Sequence, residues 1–209
     1  MSDRPVIVVD VETTGLDPAK HTVVELAAVD LGTGDHRVIV PGLRKEDLAA
    51  ASPRAWTVNK YFERRVYEQA MGKSALNDAL CELFGWLDGA TLAGCNPAFD
   101  AAFLAALFAD RCDEGVPTWH HRLADLSTLT AAALQKDPLK LPGLDVCCAW
   151  WGVTNQAPHT ALGDAQATAE CLRMLRAHCD DRGSVSPDYE GHQPAPERYS
   201  ASAAAEARL

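Results

Sequence analysis

The 209-residue sequence predicts an α/β layer fold built on a mixed β-sheet. A β-branched apolar run at residues 5–11 is typical of a buried central strand. Two more strand patterns follow after short turns, and the rest of the chain alternates between helical and strand patterns. We expect the first three strands to pair antiparallel. The helix–strand alternation that follows them then indicates a mixed sheet with helices packed on it.

Turn and capping residues delimit each predicted element. A turn at residues 13–18 ends the first strand, and Gly32-Thr33-Gly34-Asp35 predicts a hairpin. The predicted strands are residues 5–11, 22–31, 36–40, 90–94 and 121–124. The predicted helices are residues 74–87, 98–109, 126–134, 144–151 and 160–178, with Ser74, Asp125 and Thr160 as N-caps and Asn96-Pro97 as a helix start.

Composition is that of a globular chain. Hydrophobic residues make up 47% and charged residues 23%, which excludes a fully disordered chain. No apolar run approaches the ~18 residues of a membrane span, and no signal-peptide pattern begins the chain, so we expect a cytoplasmic protein without membrane contact. We expect one domain over residues 1–179 and a disordered, acidic tail rich in Pro, Ser and Ala over residues 180–209.

The strongest chemical signal is the pair Asp10 and Glu12 at the end of the first strand. Side chains two residues apart on a strand share a face, so both carboxylates emerge together. Two like charges held together are costly unless a cation compensates them, and oxygen ligands fit Mg²⁺ or Mn²⁺ better than zinc. Taken alone, such a pair is equally consistent with a solvated strand end.

Two further segments carry acids beside predicted helix starts. Asp100 lies in the first turn of an apolar helix, where a carboxylate either needs a partner or complements the helix dipole. His159 and Asp164 lie at the start of the last helix. Five helical residues turn by about 500°, so these two cannot share a face of one continuous helix. With Thr160 as the N-cap, we expect His159 on the preceding loop, turned toward the same cleft.

Three blocks in order carry a family resemblance. D-x-E-T-T-G-L at residues 10–16, N-x-x-F-D at residues 96–100 and H-x-A-x-x-D at residues 159–164 resemble the sequence blocks of the DEDDh 3′→5′ exonucleases. This group includes the proofreading subunit of bacterial replicative polymerases and ribonuclease T. The resemblance covers about residues 5–178. Cys95 stands where the middle block often begins with histidine, and Pro97 is uncommon there.

The resemblance implies a ribonuclease H-like fold, with a five-stranded mixed sheet flanked by helices. It also implies phosphodiester hydrolysis from a 3′ end with two Mg²⁺ or Mn²⁺ ions, releasing nucleoside 5′-monophosphates. Asp10 would bridge both ions, Glu12 and Asp164 would complete one ion site, and Asp100 would hold the second ion largely through water. His159 would act as the general base, since imidazole titrates near neutral pH.

Substrate contacts follow from the same family pattern. The backbone of Thr13 and Thr14 would meet the terminal nucleotide, and Leu16 would wedge against the bases. Phe103 either stacks on the terminal base or packs in the core. Two asparagines are also predicted to face substrate, Asn59 and Asn96. The segment at residues 54–65 interleaves bases with aromatic side chains, which suits a single strand but also fits an ordinary amphipathic helix.

The net charge of −10 argues at first against a nucleic-acid partner, but bound cations would offset part of it. The leading hypothesis is a 3′–5′ exonuclease acting on single-stranded DNA, alone or for a DNA polymerase in trans, in proofreading or repair. An oligoribonuclease or RNA-trimming enzyme would use the same chemistry. A third hypothesis, from another class, is a non-catalytic subunit that binds 3′ ends. A monomer and a homodimer both remain open.

Overall fold

The computed structural model describes residues 4–137 and 139–181, which form a five-stranded sheet covered by helices. The strands are β1 (Val6–Thr13), β2 (Val23–Asp30), β3 (His36–Ile39), β4 (Thr91–Gly94) and β5 (Ala124–Asp125). Their order in the sheet is β3-β2-β1-β4-β5. β1 pairs antiparallel with β2 and β2 with β3, whereas β4 pairs parallel with both β1 and β5. The predicted mixed sheet with three antiparallel strands is therefore confirmed.

Seven α-helices connect and cover these strands in the described part of the chain. They are α1 (Lys45–Ala50), α2 (Pro53–Asn59), α3 (Lys73–Leu87), α4 (Pro97–Arg111), α5 (Leu126–Ala133), α6 (Leu144–Trp151) and α7 (Ala161–Asp181). The short helix α1 was not predicted, and α2 overlaps the segment at residues 54–65 for which an amphipathic helix was one of two alternatives.

Several predicted boundaries need correction. Gly72, and not Ser74, occupies the N-cap of α3. β5 has two residues and starts at Ala124, the last residue of the strand predicted there. α7 continues through Asp180 and Asp181, two residues into the predicted tail, and residues 182–209 lie outside the described residues.

Two hydrophobic layers lie on opposite faces of the sheet, and β1 contributes alternate residues to each. Ile7, Val9 and Val11 pack with α3 and α4, whereas Val8 packs with residues of α5, α6 and α7. Since side chains alternate along a strand, Asp10 and Glu12 continue the face of Val8. The two acids of β1 therefore emerge on the side of the sheet that α7 covers.

Two predicted caps are confirmed. Asp125 accepts a hydrogen bond from the Ser127 backbone N–H at 3.0 Å, so it caps α5. Thr160 Oγ1 accepts from the Gly163 backbone N–H at 3.0 Å and thereby starts α7. No helix in the described ranges has both the length and the apolar character needed to cross a bilayer.

Candidate active site

Three carboxylates converge at the end of β1. Asp10 and Glu12 come from that strand, and Asp164 comes from the first turn of α7. One oxygen from each of the three lies within 4.8 Å of the others. All three side chains are half-buried, so they remain reachable from the cleft. Elements about 150 residues apart in sequence thus build one cluster of oxygen donors.

The cluster carries more negative charge than the protein compensates. Burial, followed by the neighbouring charges of Asp100, Asp164 and Glu12, raises the pKa of Asp10 well above its usual range. Burial and the nearby Asp164 raise the pKa of Glu12 to about 7. Burial also raises the pKa of Asp164. Hard oxygen donors with uncompensated charge are the ligand set that Mg²⁺ or Mn²⁺ prefers, so these residues fit a divalent cation.

Asp100 reaches the site in a different way. Its side chain is 5% exposed, and its Oδ1 accepts the Val11 backbone N–H at 3.0 Å. β1 pairs with β4 only as far as Val8. The Val11 N–H lies beyond the end of that pairing and donates to Asp100 instead of to a strand. Burial raises the pKa of Asp100 to about 8 although the Val11 bond opposes this. The fourth predicted acid therefore lies beside the cluster, bound to the backbone between Asp10 and Glu12.

His159 lies on the loop before α7, as predicted, and its side chain is exposed. Its backbone adopts the left-handed conformation, with φ at 60°. Gly163 lets the helix start close to this loop, because a Cβ there would collide with the Ala157 carbonyl. Asn155, which sequence reasoning missed, donates from Nδ2 to Asp164 Oδ1 at 2.6 Å.

Sequence reasoning also missed an ion pair beside the cluster. Glu25 of β2 is 6% exposed and lies directly opposite Glu12 in the antiparallel pairing. Its Oε2 is 2.7 Å from Arg64 Nη2. Arg64 Nη1 also donates to the carbonyls of Asn59 and His159, each at 3.0 Å. Part of the segment predicted to bind nucleic acid is thus used inside the protein.

A groove of about 420 Å³ opens beside Glu12; we call it the α2 groove. Its lining includes Thr13, Leu16, Arg54, Val58 and Phe99. Leu16 is 82% exposed and lines the groove, so its apolar side chain is accessible there. Arg54 adds a positive charge to the wall.

For Phe103 the structure selects the second of the two alternatives, packing in the core, whereas Thr14 differs from its predicted substrate contact. Phe103 is 1% exposed and belongs to the core. Phe99 packs against it with ring centroids 4.8 Å apart and the rings tilted by 48°, and it is Phe99 that lines the α2 groove. The Thr14 backbone N–H donates to the Thr22 carbonyl, and its own carbonyl accepts from Ser52 N–H, each at 2.8 Å. These Thr14 groups are therefore occupied within the protein.

Asn59 also differs from its predicted role. Its side chain is buried, donates to the Thr13 carbonyl and accepts from Tyr61 N–H, both at 3.1 Å. It supports the groove wall and does not present a free amide to it. The aromatic side chains of the same segment, Trp56, Tyr61 and Phe62, pack against one another with ring centroids 5.1–5.2 Å apart.

A second cavity, of about 430 Å³, opens on the other acids of the cluster. Its lining includes Asp10, Asp164, Asn96 and Leu141, and we call it the Leu141 cavity. The predicted contact Asn96 is exposed in this cavity, and its backbone N–H donates to Asp125 Oδ1 at 3.4 Å. The carboxylate cluster therefore borders two open spaces, one at Glu12 and one at Asp10 and Asp164.

Known proteins of similar sequence are nucleases and polymerases. The oligoribonuclease of Hahella chejuensis is 27% identical over 184 residues, which are 81% of this chain and 92% of that protein. A DNA polymerase III PolC-type of Halalkalibacterium halodurans is 28% identical over 83% of this chain, and the match spans only 12% of that polymerase.

Solved structures of exonuclease I share the fold. The crystal structure of E. coli exonuclease I in complex with a dT13 oligonucleotide has a TM-score of 0.66 at 17% identity, over 86% of this chain and 42% of that chain. This chain therefore spans less than half the length of that protein. The likeness confirms the predicted ribonuclease H-like fold.

The family model of the RNase T exonucleases matches residues 7–172 of this chain. That range includes β1 from its second residue onward, α4 and the part of α7 that bears Asp164. The five positions predicted to be catalytic all fall inside it. Because the match covers most of the 209 residues, the chain belongs to the RNase T exonuclease family and is a hydrolytic 3′–5′ exonuclease.

Proposed function

We propose that this protein removes nucleotides from the 3′ end of single-stranded DNA in a reaction that requires divalent cations, releasing nucleoside 5′-monophosphates. The observation that carries the proposal is the convergence of Asp10, Glu12 and Asp164, with one oxygen of each within 4.8 Å of the others. All three members of this half-buried cluster are acids, and none is a cationic residue. A divalent cation would compensate their negative charge.

Four acids would hold two Mg²⁺ or Mn²⁺ ions: Asp10, Glu12, Asp164 and, largely through water, Asp100. When bound, the ions would stabilise the negative charge that builds on the scissile phosphate and activate the attacking water. Asp100 orients the end of β1 through its bond to Val11 N–H. Asn155 holds Asp164 in place through the 2.6 Å bond to Oδ1.

His159 would accept the proton of the attacking water at a ring nitrogen. Its exposed position on the loop leaves the ring free to turn toward the cleft and to pass the proton to solvent. The loop also joins directly to the helix that carries Asp164, so the base and a ligand share one support.

The two spaces beside the cluster would each bind a different nucleotide of the substrate. The α2 groove would take the terminal nucleoside, with Leu16 and Phe99 against the base. With the scissile phosphate at the cluster, the preceding nucleotide would occupy the Leu141 cavity, which Asp10 and Asp164 also line. Leu141 is 52% exposed there, which suits an apolar contact with a base.

DNA is the favoured substrate because exonuclease I, whose fold this chain shares, is seen with a dT13 oligonucleotide. The PolC-type relatives favour a role beside a DNA polymerase, in proofreading or repair. RNA is the second candidate, since the oligoribonuclease of Hahella chejuensis matches over 92% of its own length.

Degradation of 5′-labelled oligonucleotides tests this proposal. Single-stranded DNA and RNA of one sequence would be incubated with the protein in Mg²⁺, in Mn²⁺ and in excess chelator. We expect a ladder that shortens from the 3′ end with either metal, faster on DNA, and mass spectrometry should identify nucleoside 5′-monophosphates.

Matched substrates provide the control. A 3′-phosphorylated oligonucleotide of the same sequence should resist the enzyme. Its terminal nucleoside carries a bulky, charged phosphate in place of the free 3′-hydroxyl and would no longer fit the α2 groove. Faster cleavage of RNA would favour the oligoribonuclease function. Binding of 3′ ends without cleavage in either metal would overturn the proposal and favour a non-catalytic binding subunit.

A further inference from the structure

One arginine connects three parts of the cleft that come from different elements. Arg64 is half-buried and follows α2 in the chain. Its Nη1 donates both to the Asn59 carbonyl, at the end of α2, and to the His159 carbonyl, each at 3.0 Å. Its Nη2 binds Glu25 Oε2 at 2.7 Å. The planar fork of a guanidinium can make these bonds together, which a lysine ammonium on a flexible stem does less well.

The bond to the His159 carbonyl stabilises a backbone segment whose conformation is otherwise unfavourable. His159 has a φ of 60°, a conformation that few residues other than glycine adopt without cost. Nearby, the Thr160 N–H reaches the Ala157 carbonyl at 3.3 Å, a long bond. The Arg64 side chain therefore supplies a strong, charge-assisted bond to the residue that carries the proposed base.

The bond to Glu25 anchors the other end of the guanidinium. Glu25 is 6% exposed and lies opposite Glu12 across the β1–β2 pairing, so the sheet fixes its position. Arg64 is thus held by a strand that neighbours the carboxylate cluster. The same side chain holds the end of α2, the helix that walls the α2 groove.

We propose that Arg64 is a positioning residue, which holds the His159 loop and the end of α2 at a fixed distance from the carboxylates so that the imidazole reaches the attacking water. This rests on the proposed function of His159 as the base. In this role Arg64 acts through the His159 backbone, to whose carbonyl it donates.

Kinetics of Arg64→Met test the proposal. We expect kcat to fall roughly 30-fold on a 5′-labelled oligonucleotide, with KM changed less than about threefold, because misplacing a catalytic group affects the chemical step. Arg64→Lys should recover part of kcat, since a lysine can bind Glu25 or one carbonyl but not all three. Arg173→Met is the matched control, because Arg173 bonds the Leu31 carbonyl at 3.4 Å and lies nine residues along α7 from Asp164.

A double-mutant cycle separates action through His159 from a general loss of structure. His159→Ala should lower kcat strongly, and adding Arg64→Met to it should lower kcat by less than about threefold more. Fully additive losses would overturn the positioning role and leave the base role intact. Full activity of His159→Ala would overturn the base role, and with it the inference.

Substitution of Glu25 separates two explanations for a loss of activity in Arg64→Met: lost positioning of the His159 loop, and the unpaired charge of Glu25. Arg64→Met leaves a buried acid without its partner, which is costly in itself. Glu25→Gln keeps both carbonyl bonds of Arg64 and retains a side-chain oxygen that can still accept from Nη2, so we expect nearly unchanged kcat. The double variant with Arg64→Met and Glu25→Gln should stay impaired; recovery of activity in it would contradict the proposal.

Hydrogen exchange gives a readout that needs neither metal nor turnover. In chelator, Arg64→Met should speed amide exchange in the peptide spanning residues 155–162, and Arg173→Met should not. Unchanged exchange in that peptide would overturn the proposal, because the loop would then be held without Arg64.

Discussion

The α4 side and the α7 side of the cleft present their acids by different means. On the α4 side, Asp100 is 5% exposed, and its Oδ1 accepts a backbone N–H from the strand that carries Asp10 and Glu12. On the α7 side, Asp164 is half-buried and bonded to the side chain of Asn155. The neighbouring His159 is exposed, and a side chain, that of Arg64, holds its carbonyl.

This difference teaches which parts of the site belong to the fold. A buried carboxylate bonded to the backbone of the central strand cannot be removed without leaving an unsatisfied donor. Contacts between half-exposed side chains can be replaced by water at little cost. We therefore expect changes on the α4 side to alter stability and catalysis together, and changes on the α7 side to alter catalysis alone.

Neutral substitutions of Asp100 and Asp164 give the largest expected effect. Asp100→Asn and Asp164→Asn should each lower kcat by about 1000-fold or more, roughly 4 kcal/mol, because each removes a negative ligand from the site. Turnover of a labelled oligonucleotide in Mg²⁺ measures this. Activity within tenfold of the unmodified protein for either variant would remove that acid from the proposed ligand set.

The matching alanine variants separate the two sides. Asp100→Ala should be less stable than Asp100→Asn by about 1–3 kcal/mol, since only asparagine can still accept the Val11 N–H. Asp164→Ala and Asp164→Asn should differ by less than about 0.5 kcal/mol. Urea unfolding in chelator provides all four values, and equal differences at the two positions would refute the distinction between the sides.

Phe99 and Phe103 of α4 allow a second comparison, between a ring that lines the α2 groove and a ring that is buried in the core. Phe103→Ala should lower the free energy of unfolding by about 3–5 kcal/mol, because the ring is fully buried. Phe99→Ala should cost clearly less stability and raise KM about tenfold, if the ring stacks on the terminal base. Paired urea unfolding and initial rates measure both, and the reverse pattern would return Phe103 to the substrate site.

The pH dependence of stability without metal also compares the sides. The pKa values of Glu12 and Asp100, raised to about 7 and about 8, mean that the folded protein keeps protons that the unfolded chain releases near pH 4. Stability from these groups is thus fully present below about pH 4 and is lost as pH rises toward 8. We expect a fall of about 1 kcal/mol or more between pH 5 and 8, measured by urea unfolding in chelator.

Substitutions and metal sharpen this prediction. Asp100→Asn should flatten the profile more than Asp164→Asn, because Asp100 is the more deeply buried acid. Saturating Mg²⁺ should also reduce the slope, since bound cations stabilise the charged carboxylates. A profile that rises over this range would contradict the uncompensated charge of the cluster.

The smallest effect concerns the Leu141 cavity. Leu141→Ala should raise KM for an oligonucleotide about threefold, because one apolar contact with the penultimate base is lost. The p-nitrophenyl ester of thymidine 5′-monophosphate has no such base, so its cleavage should not change. Leu139→Ala is the control, since Leu139 is 91% exposed in the same loop but does not line the cavity. Equal effects on both substrates would refute this strand path.

The sequence predicted the acids better than their surroundings. Two-residue periodicity in β1 was enough to place Asp10 and Glu12 on one face, and Thr160 as a cap was enough to place His159 on a loop. The Asp125 cap was predicted for the same local reason. These features depend on residues within a few positions of one another, where backbone geometry decides the outcome.

Other features depend on tertiary contacts that no local pattern contains. Phe99 and Phe103 differ by only about 40° around α4, so periodicity could not tell which ring enters the core. Arg64 stood among other bases in a segment predicted to bind nucleic acid, while its partner Glu25 is 39 residues away. Only the paired strands bring that acid next to Glu12.

Metal-dependent cleavage by the protein and by Asp10→Asn is the most direct test of the central claim that the converged carboxylates work through divalent cations. Asp10 lies in the three-acid cluster, lines the Leu141 cavity together with Asp164, and is the acid proposed to contact both ions. We predict rapid shortening of a 5′-labelled oligonucleotide in Mg²⁺, none in chelator, and a loss of about 1000-fold or more in Asp10→Asn. Cleavage that persists in excess chelator, or in the folded Asp10→Asn variant at the same rate, would contradict the account.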